Sequence, residues 1–286
     1  MSTASIGYID IYRLLNVVNV GQSSRLWQAY NDDKREFVAI KVLLNKFVND
    51  KIHTQLLKRE YEVASKLSHP RLIQIRQFGW HQKTPYLVME WFPGSNAKIL
   101  INRGYEHYCK DLPKIFLQSA ESLVYLHSQG WMHRDIKPDN LIYNDEGGIK
   151  LIDFALAKKV PSGIAKIFGG KSPIVGTLSY MSPEQIRGKA PSPSADIYSL
   201  GCTFYELLTG RLPFAGETIN DLLGKHLNAI PPSVAQRNKN VTPEFTSFVR
   251  SMMGKTSADR PKTMEEVYKL LKTLRVFIRT PSNNDL

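Results

Sequence analysis

The sequence predicts an α+β fold: a strand-rich first third carrying one helix, followed by a mostly helical remainder. Three observations carry this expectation. Apolar β-formers run between turn clusters before residue 92, a Pro93-Gly94-Ser95-Asn96 break follows, and apolar stripes at helical spacing lie beyond it. Tyr12 to Val20, Ser24 to Tyr30 and Phe37 to Leu43 are strand candidates, divided at Gly21-Gln22-Ser23 and Asn31-Asp32-Asp33. Residues 54–67 switch to helical spacing, with Leu57, Tyr61 and Ala64 on one stripe. Glu60 lies at the edge of that stripe, so its carboxylate faces whatever the helix packs on. Two strands follow, around Ile73–Gly79 and Tyr86–Trp91. Past the break, a helix begins at Pro113, carries Phe116, Ala120, Leu123 and His127 on one face, and stops at Gly130. Ile197 to Leu208 is apolar nearly all round, which predicts a buried central helix ended by Gly210. Helices near 217–229, 243–254 and 263–278 complete the pattern, and Thr280 to Leu286 reads as a frayed tail.

Composition excludes several classes. With 286 residues, 42% hydrophobic and 22% charged, the chain can bury a sizeable core and is not of disordered type. No apolar run reaches the ~18 residues of a membrane span. The first ten residues lack a basic segment followed by an apolar one, which argues against a secretory leader. Cys109 and Cys202 have no metal-type spacing and suit a reducing compartment, so a soluble, cytoplasmic protein is expected. The net charge of +12 comes from basic residues spread along the chain without a nucleic-acid-binding module, so no nucleic-acid partner is expected. Between Asp153 and Glu184 there is no acid, whereas Lys158, Lys159, Lys166 and Lys171 are present. The sequence does not determine oligomeric state.

The most informative stretch is His133-Arg134-Asp135-Ile136-Lys137-Pro138-Asp139-Asn140. Asp135 can accept the proton of an attacking hydroxyl, Lys137 can meet the charge of a transferring phosphate, and Asn140 offers an oxygen to a hard cation. This run resembles the catalytic loop of the protein kinase family, and Lys137 resembles the serine/threonine branch, including bacterial-type soluble kinases. Val38-Ala39-Ile40-Lys41 with Glu60 resembles the family's Lys–Glu pair, which positions nucleotide phosphates. Lys150-Leu151-Ile152-Asp153-Phe154-Ala155 resembles the magnesium-binding Asp-Phe-Gly element, with Ala155 in place of glycine. Alanine should restrict rearrangement of this turn without removing a ligand. The family's glycine-rich loop aligns with Asn19-Val20-Gly21-Gln22-Ser23-Ser24-Arg25-Leu26, in which only Gly21 keeps its glycine.

The resemblance covers about residues 8–275 and implies one bilobal protein kinase domain. Its β-rich N-lobe with one main helix and the hinge would take residues 1–92, its helical C-lobe 93–275, and residues 276–286 form a tail. It implies that Val18, Leu26, Ala39, Ile142 and Ile152 meet adenine and that Asn19 and Gly21 lie over the phosphates. Glu90 and Phe92 would supply hinge backbone groups, with Met89 behind them, and Asn96 would reach the ribose. ATP and Mg2+, with Mn2+ as an alternative, are the implied cofactors, the metal resting on Asn140 and Asp153.

Residues 155–184 resemble an activation segment. Thr177 would bond Asp135 and Lys137, Glu184 would pair with Arg260, and Asp196 would brace the catalytic loop. Arg134 would meet a phosphate on this segment, and Ser172 is the expected acceptor, with Ser162 nearby. The implied function is ATP-dependent phosphorylation of serine or threonine hydroxyls on proteins. The alternative is a pseudokinase, a nucleotide-binding or scaffold module with little turnover, suggested by the missing glycines and Ala155. A small-molecule phosphotransferase fits less well, because Lys137 and the Thr177–Glu184 pattern belong to peptide-phosphorylating members.

Overall fold

A computed structural model describes residues 7–160, 176–190 and 192–286. The chain forms two compact units. One runs to Pro93 and takes in Asp153–Ala155; the other comprises Gly94–Ile152 and Leu156–Leu286.

In the first unit, β1 (Tyr8–Ile9), β2 (Tyr12–Val20), β3 (Ser24–Asn31), β4 (Glu36–Leu43), β5 (Ile75–His81) and β6 (Thr84–Glu90) build one antiparallel sheet in the order β1-β2-β3-β4-β6-β5. Alternation along the strands divides its faces. Val38, Ile40, Tyr86 and Val88 join Ile9, Tyr12 and Ala29 in one apolar cluster. Ala39, Lys41, Leu87 and Met89 therefore point to the opposite face, and register places Leu26 directly across from Lys41 and Met89 across from Ala39. Helix α1 (Lys51–Ala64) packs on β5 and β6 and buries Leu57, Glu60, Val63 and Ala64. It starts three residues before the stripe predicts, because the Asp50 carboxylate caps it by accepting from the N–H groups of Ile52 and His53.

The second unit opens with β7 (Ser95–Asn96), which pairs with β9 (Leu141–Tyr143); β9 in turn pairs with β10 (Ile149–Leu151). A further two-stranded ladder joins β8 (Trp131–Met132) to β11 (Lys158–Lys159). The helices are α2 (Ala97–Arg103), α3 (Leu112–Ser128), α4 (Pro183–Ile186), α5 (Pro193–Thr209), α6 (Ile219–Asn228), α7 (Pro243–Met252) and α8 (Met264–Thr273). Every residue of α5 from Ala195 to Thr209 is buried, as its all-round apolarity predicts, and Gly210 ends it at φ 66°. Phe116 of α3 packs on Phe204 of α5 and Phe245 of α7 at ring separations of 4.2 and 5.5 Å.

Two expectations for the C-terminal region are corrected. Helix α8 ends at Thr273 rather than near 278, because Val276 and Ile278 turn away to bond Thr242 and Asn240 through their backbones. Thr280 to Leu286 is not frayed. The buried Asp285 carboxylate accepts from the Asn240 amide at 2.8 Å, the Arg279 guanidinium at 2.5 Å and the Ser282 N–H at 2.9 Å.

Candidate active site

In the first unit, strand β4 delivers Lys41 to the face covered by α1. Its ammonium lies 2.7 Å from Glu60 and 3.7 Å from Asp153. Burial opposes the lysine charge, but the carboxylates of Asp153 and Glu60 outweigh it and raise the Lys41 pKa above the ordinary value. Burial in turn raises the Glu60 carboxyl, opposed by the Lys41 ammonium. One cation is thus held between two acids, with Glu60 only 1% exposed and Asp153 the more open of the two.

Asp153 has φ 66°, in the left-handed region, and its Oδ1 accepts the Ala155 N–H at 3.4 Å. Ala155 itself is outside that region, so alanine fits this turn unstrained. The strain falls on Asp153, where the chain needs an oxygen rather than flexibility.

The β2–β3 turn is a regular hairpin closed by Gly21 N–H to Ser24 O at 2.9 Å. A Cβ at Gly21 would meet only that Ser24 oxygen at 3.5 Å, an ordinary contact, so the hairpin itself does not require glycine here. Val18 is the extra residue of a β-bulge between Val17 and Asn19, and Asn19 stands across from Leu26. Ala39 and Met89 are buried, Leu26 is partly buried and Val18 is exposed. The N–H of Glu90 bonds Gln74 O at 3.0 Å. Phe92 is half-buried in the link that follows.

In the second unit, the loop after β8 is built around buried Asp196 of α5. Asp196 Oδ2 accepts from His133 N at 2.9 Å and from His127 Nε2 at 2.8 Å, and Oδ1 accepts from Arg134 N at 2.8 Å. Burial works against this charge, but the His127 donor and the neighbouring groups hold the carboxyl below its ordinary range. Arg134 takes φ 72°, and the Gln185 amide bonds its carbonyl at 3.3 Å, so the backbone turn is fixed from both sides.

This turn presents Asp135. Its Oδ2 bonds Lys137 Nζ at 2.7 Å; its Oδ1 accepts from Thr177 N at 2.8 Å and Thr177 Oγ1 at 2.9 Å; Lys137 also reaches Thr177 Oγ1 at 2.6 Å. Asn140 donates its amide nitrogen to Asp135 O at 2.7 Å and to Asp135 Oδ2 at 3.3 Å, bonds that do not use its side-chain oxygen. Ile142 is partly buried on β9, and the Asn96 side-chain oxygen caps α2 by accepting from Ile99 N at 2.9 Å.

Arg260 binds Glu184 in two-pronged fashion at 2.7 and 2.8 Å and also donates to Gly254 O and Ser194 O, with its side chain fully buried. Arg260 holds the Glu184 carboxyl below its usual range against the effect of burial. Ser162 and Ser172 lie outside the described residues. Two participants escape the sequence reading: His127, a stripe residue there, and Gln185. His127 carries a signal, being a polar group on an otherwise apolar helical face; Gln185 carries none.

Residues 12–270 match the family model of the protein kinase domain. The chain belongs to the protein kinase family. The kinase domain is 32% identical to serine/threonine-protein kinase PrkC of Bacillus subtilis, over 92% of this chain and 40% of that relative. It is 30% identical to a probable serine/threonine-protein kinase PknB of Lactococcus lactis, over 91% of this chain and 41% of the relative. To serine/threonine-protein kinase PknB of Mycolicibacterium smegmatis it is 28% identical, over 90% and 42%. The chain thus spans about two-fifths of the length of the curated relatives it matches. The family uses ATP and a divalent metal ion. Among the described residues, no helix of the kinase domain is long and apolar enough to cross a membrane.

Proposed function

We propose that this chain transfers the γ-phosphate of ATP to serine or threonine hydroxyls of proteins. The observation that carries the reading is the Asp135–Lys137–Thr177 cluster, in which an acid, a cation and a hydroxyl meet within 2.6 to 2.9 Å. A substrate hydroxyl taking the place of the Thr177 hydroxyl would find the same acceptor and the same cation. In this reading the hydroxyl oxygen bonds the γ-phosphorus as the bond from that phosphorus to the β–γ bridging oxygen breaks. Asp135 takes the hydroxyl proton, Lys137 follows the charge on the transferring group, and ADP leaves. Lys41, oriented by Glu60, holds the α- and β-phosphates. Val18, Leu26, Ala39, Ile142 and Ile152 line the adenine with Met89 behind them, Glu90 and Phe92 bond it through the backbone, and Asn96 takes the ribose. Asn19 and Gly21 cover the phosphates.

Asp153 and Asn140 offer a carboxylate and an amide oxygen, a donor set suited to a hard divalent cation such as Mg2+ or Mn2+. That ion would neutralise charge on the β- and γ-phosphates. A scaffold with little turnover is the weaker reading. The departures at the glycine loop and Ala155 remove neither acid nor cation, and the loss of a charged group is the more damaging kind.

The test is phosphate transfer from γ-labelled ATP to a generic protein substrate with magnesium, beside an Asp135→Asn control. Incorporation lost in the control is expected; no incorporation above it, with ATP still bound, would sink the reading. Phosphorylation at Ser172, met by Arg134, is the proposed activating event, since the adjoining stretch carries lysines without acids. Full activity of Ser172→Ala, with Ser162 and Thr177 unmodified, would exclude that site.

A further inference from the structure

Glu206 on α5 is a carboxylate only 2% exposed. Its two oxygens are satisfied from two directions. Oε1 takes the Lys98 ammonium from α2, and Oε2 takes the Tyr180 hydroxyl at 2.5 Å. Tyr180 ends a tight turn whose N–H bonds Thr177 O at 3.0 Å, and its own carbonyl is held by Ser199 Oγ at 2.7 Å. Thr177 is the residue whose hydroxyl stands between Asp135 and Lys137. A continuous chain of contacts therefore runs from Lys98 through Glu206 and Tyr180 to the hydroxyl site. Helix α2 also packs on the Pro138–Asn140 turn, so both ends of the chain meet the same loop.

We propose that Lys98 is a positioning residue for the phosphoacceptor, acting through Glu206 and Tyr180 on the Thr177–Tyr180 turn. The physical reason is the fate of a buried carboxylate. With Lys98 in place, Glu206 is charge-compensated and accepts the phenol along a fixed direction. Without it, a phenol alone faces an uncompensated charge, and Glu206 must draw in water or turn toward solvent, releasing Tyr180. Lys98 is the partly exposed member of the set, so its replacement removes charge without opening a core cavity.

The proposal rests on the kinase reading, and its test is read in two ways. Lys98→Met, Lys98→Arg, Tyr180→Phe and the Lys98→Met/Tyr180→Phe pair are compared with the parent chain. In peptide phosphorylation, Lys98→Met is expected to raise KM for the peptide about tenfold while KM for ATP stays within about twofold; arginine restores most of the loss, and the pair is no worse than Lys98→Met alone. In hydrogen exchange, which needs no turnover, the Tyr180 amide of Lys98→Met exchanges faster, whereas the Asp196-bonded amides of His133 and Arg134 do not. An unchanged peptide KM, equal shifts in both KM values, or additive losses would overturn the proposal. If the parent chain transfers no phosphate, the kinase reading fails, and exchange alone decides the link: unaltered Tyr180 exchange refutes it.

Discussion

Asp196→Asn tests the brace beneath the catalytic loop. The carboxylate now accepts three hydrogen bonds from His127, His133 and Arg134, two of them from backbone N–H groups. Asparagine keeps one oxygen and puts an NH2 group where the other stood, so at least one buried donor faces a donor. Losing one charge-assisted bond and leaving one donor unsatisfied together cost about 3–5 kcal/mol. For a chain of this size that corresponds to a melting temperature lower by roughly 6–20 °C. Arg134 sits at φ 72° only because its neighbours hold it, so release of its N–H also lets Asp135 leave position. Thermal unfolding and single-turnover phosphate transfer, run on the same preparations, should both fall. A melting point within about 2 °C of the parent, with transfer retained, would refute the argument that this carboxylate shapes the loop.

Glu60→Gln leaves Lys41 with Asp153 as its one remaining acid of the pair, and steady-state kinetics should show kcat/KM for ATP lower by about ten- to a hundredfold; unchanged kinetics would show that Lys41 needs no second acid. Gly21→Ala should leave the melting point within about 2 °C, since the added Cβ meets only an ordinary contact, while KM for ATP rises; an unaltered ATP KM would mean that phosphates do not approach residue 21 closely. His226 is fully buried, 2.9 Å from the Tyr198 hydroxyl, and burial with Lys255 lowers its pKa to about 4. The unfolded chain takes up this proton near pH 6.5, so stability falls as pH drops from about 6.5 to 4, by about 3 kcal/mol at the lower end. Urea midpoints for His226→Gln should lack this component of acid sensitivity, and an identical pH slope would contradict it.

The sheet and the long helices were legible because each shows one period over many residues, as in Phe37 to Leu43 and Ile197 to Leu208. The Asp135, Lys137 and Asn140 loop was legible because its chemistry lies within eight residues. Bonds between distant polar residues left no such trace. Lys98 and Glu206 stand 108 positions apart, and nothing in either local stretch marks it as the other's partner. Asn240 and Asp285 are similarly remote, which is why a polar tail read as frayed when a single buried carboxylate pins it. The end of α8 was missed for the same reason: Val276 and Ile278 leave the helix for backbone partners around Asn240 that no periodicity announces.

The turn at Asp153–Ala155 bears on ligand selectivity. An arrangement that moved positive φ onto residue 155 would cost alanine roughly 1–2 kcal/mol more than glycine, lowering its population about five- to thirtyfold. A small molecule that recognises only that arrangement would lose the same factor in affinity against this chain. Compounds that accept the observed turn would lose nothing, so one methyl group separates the two ligand classes.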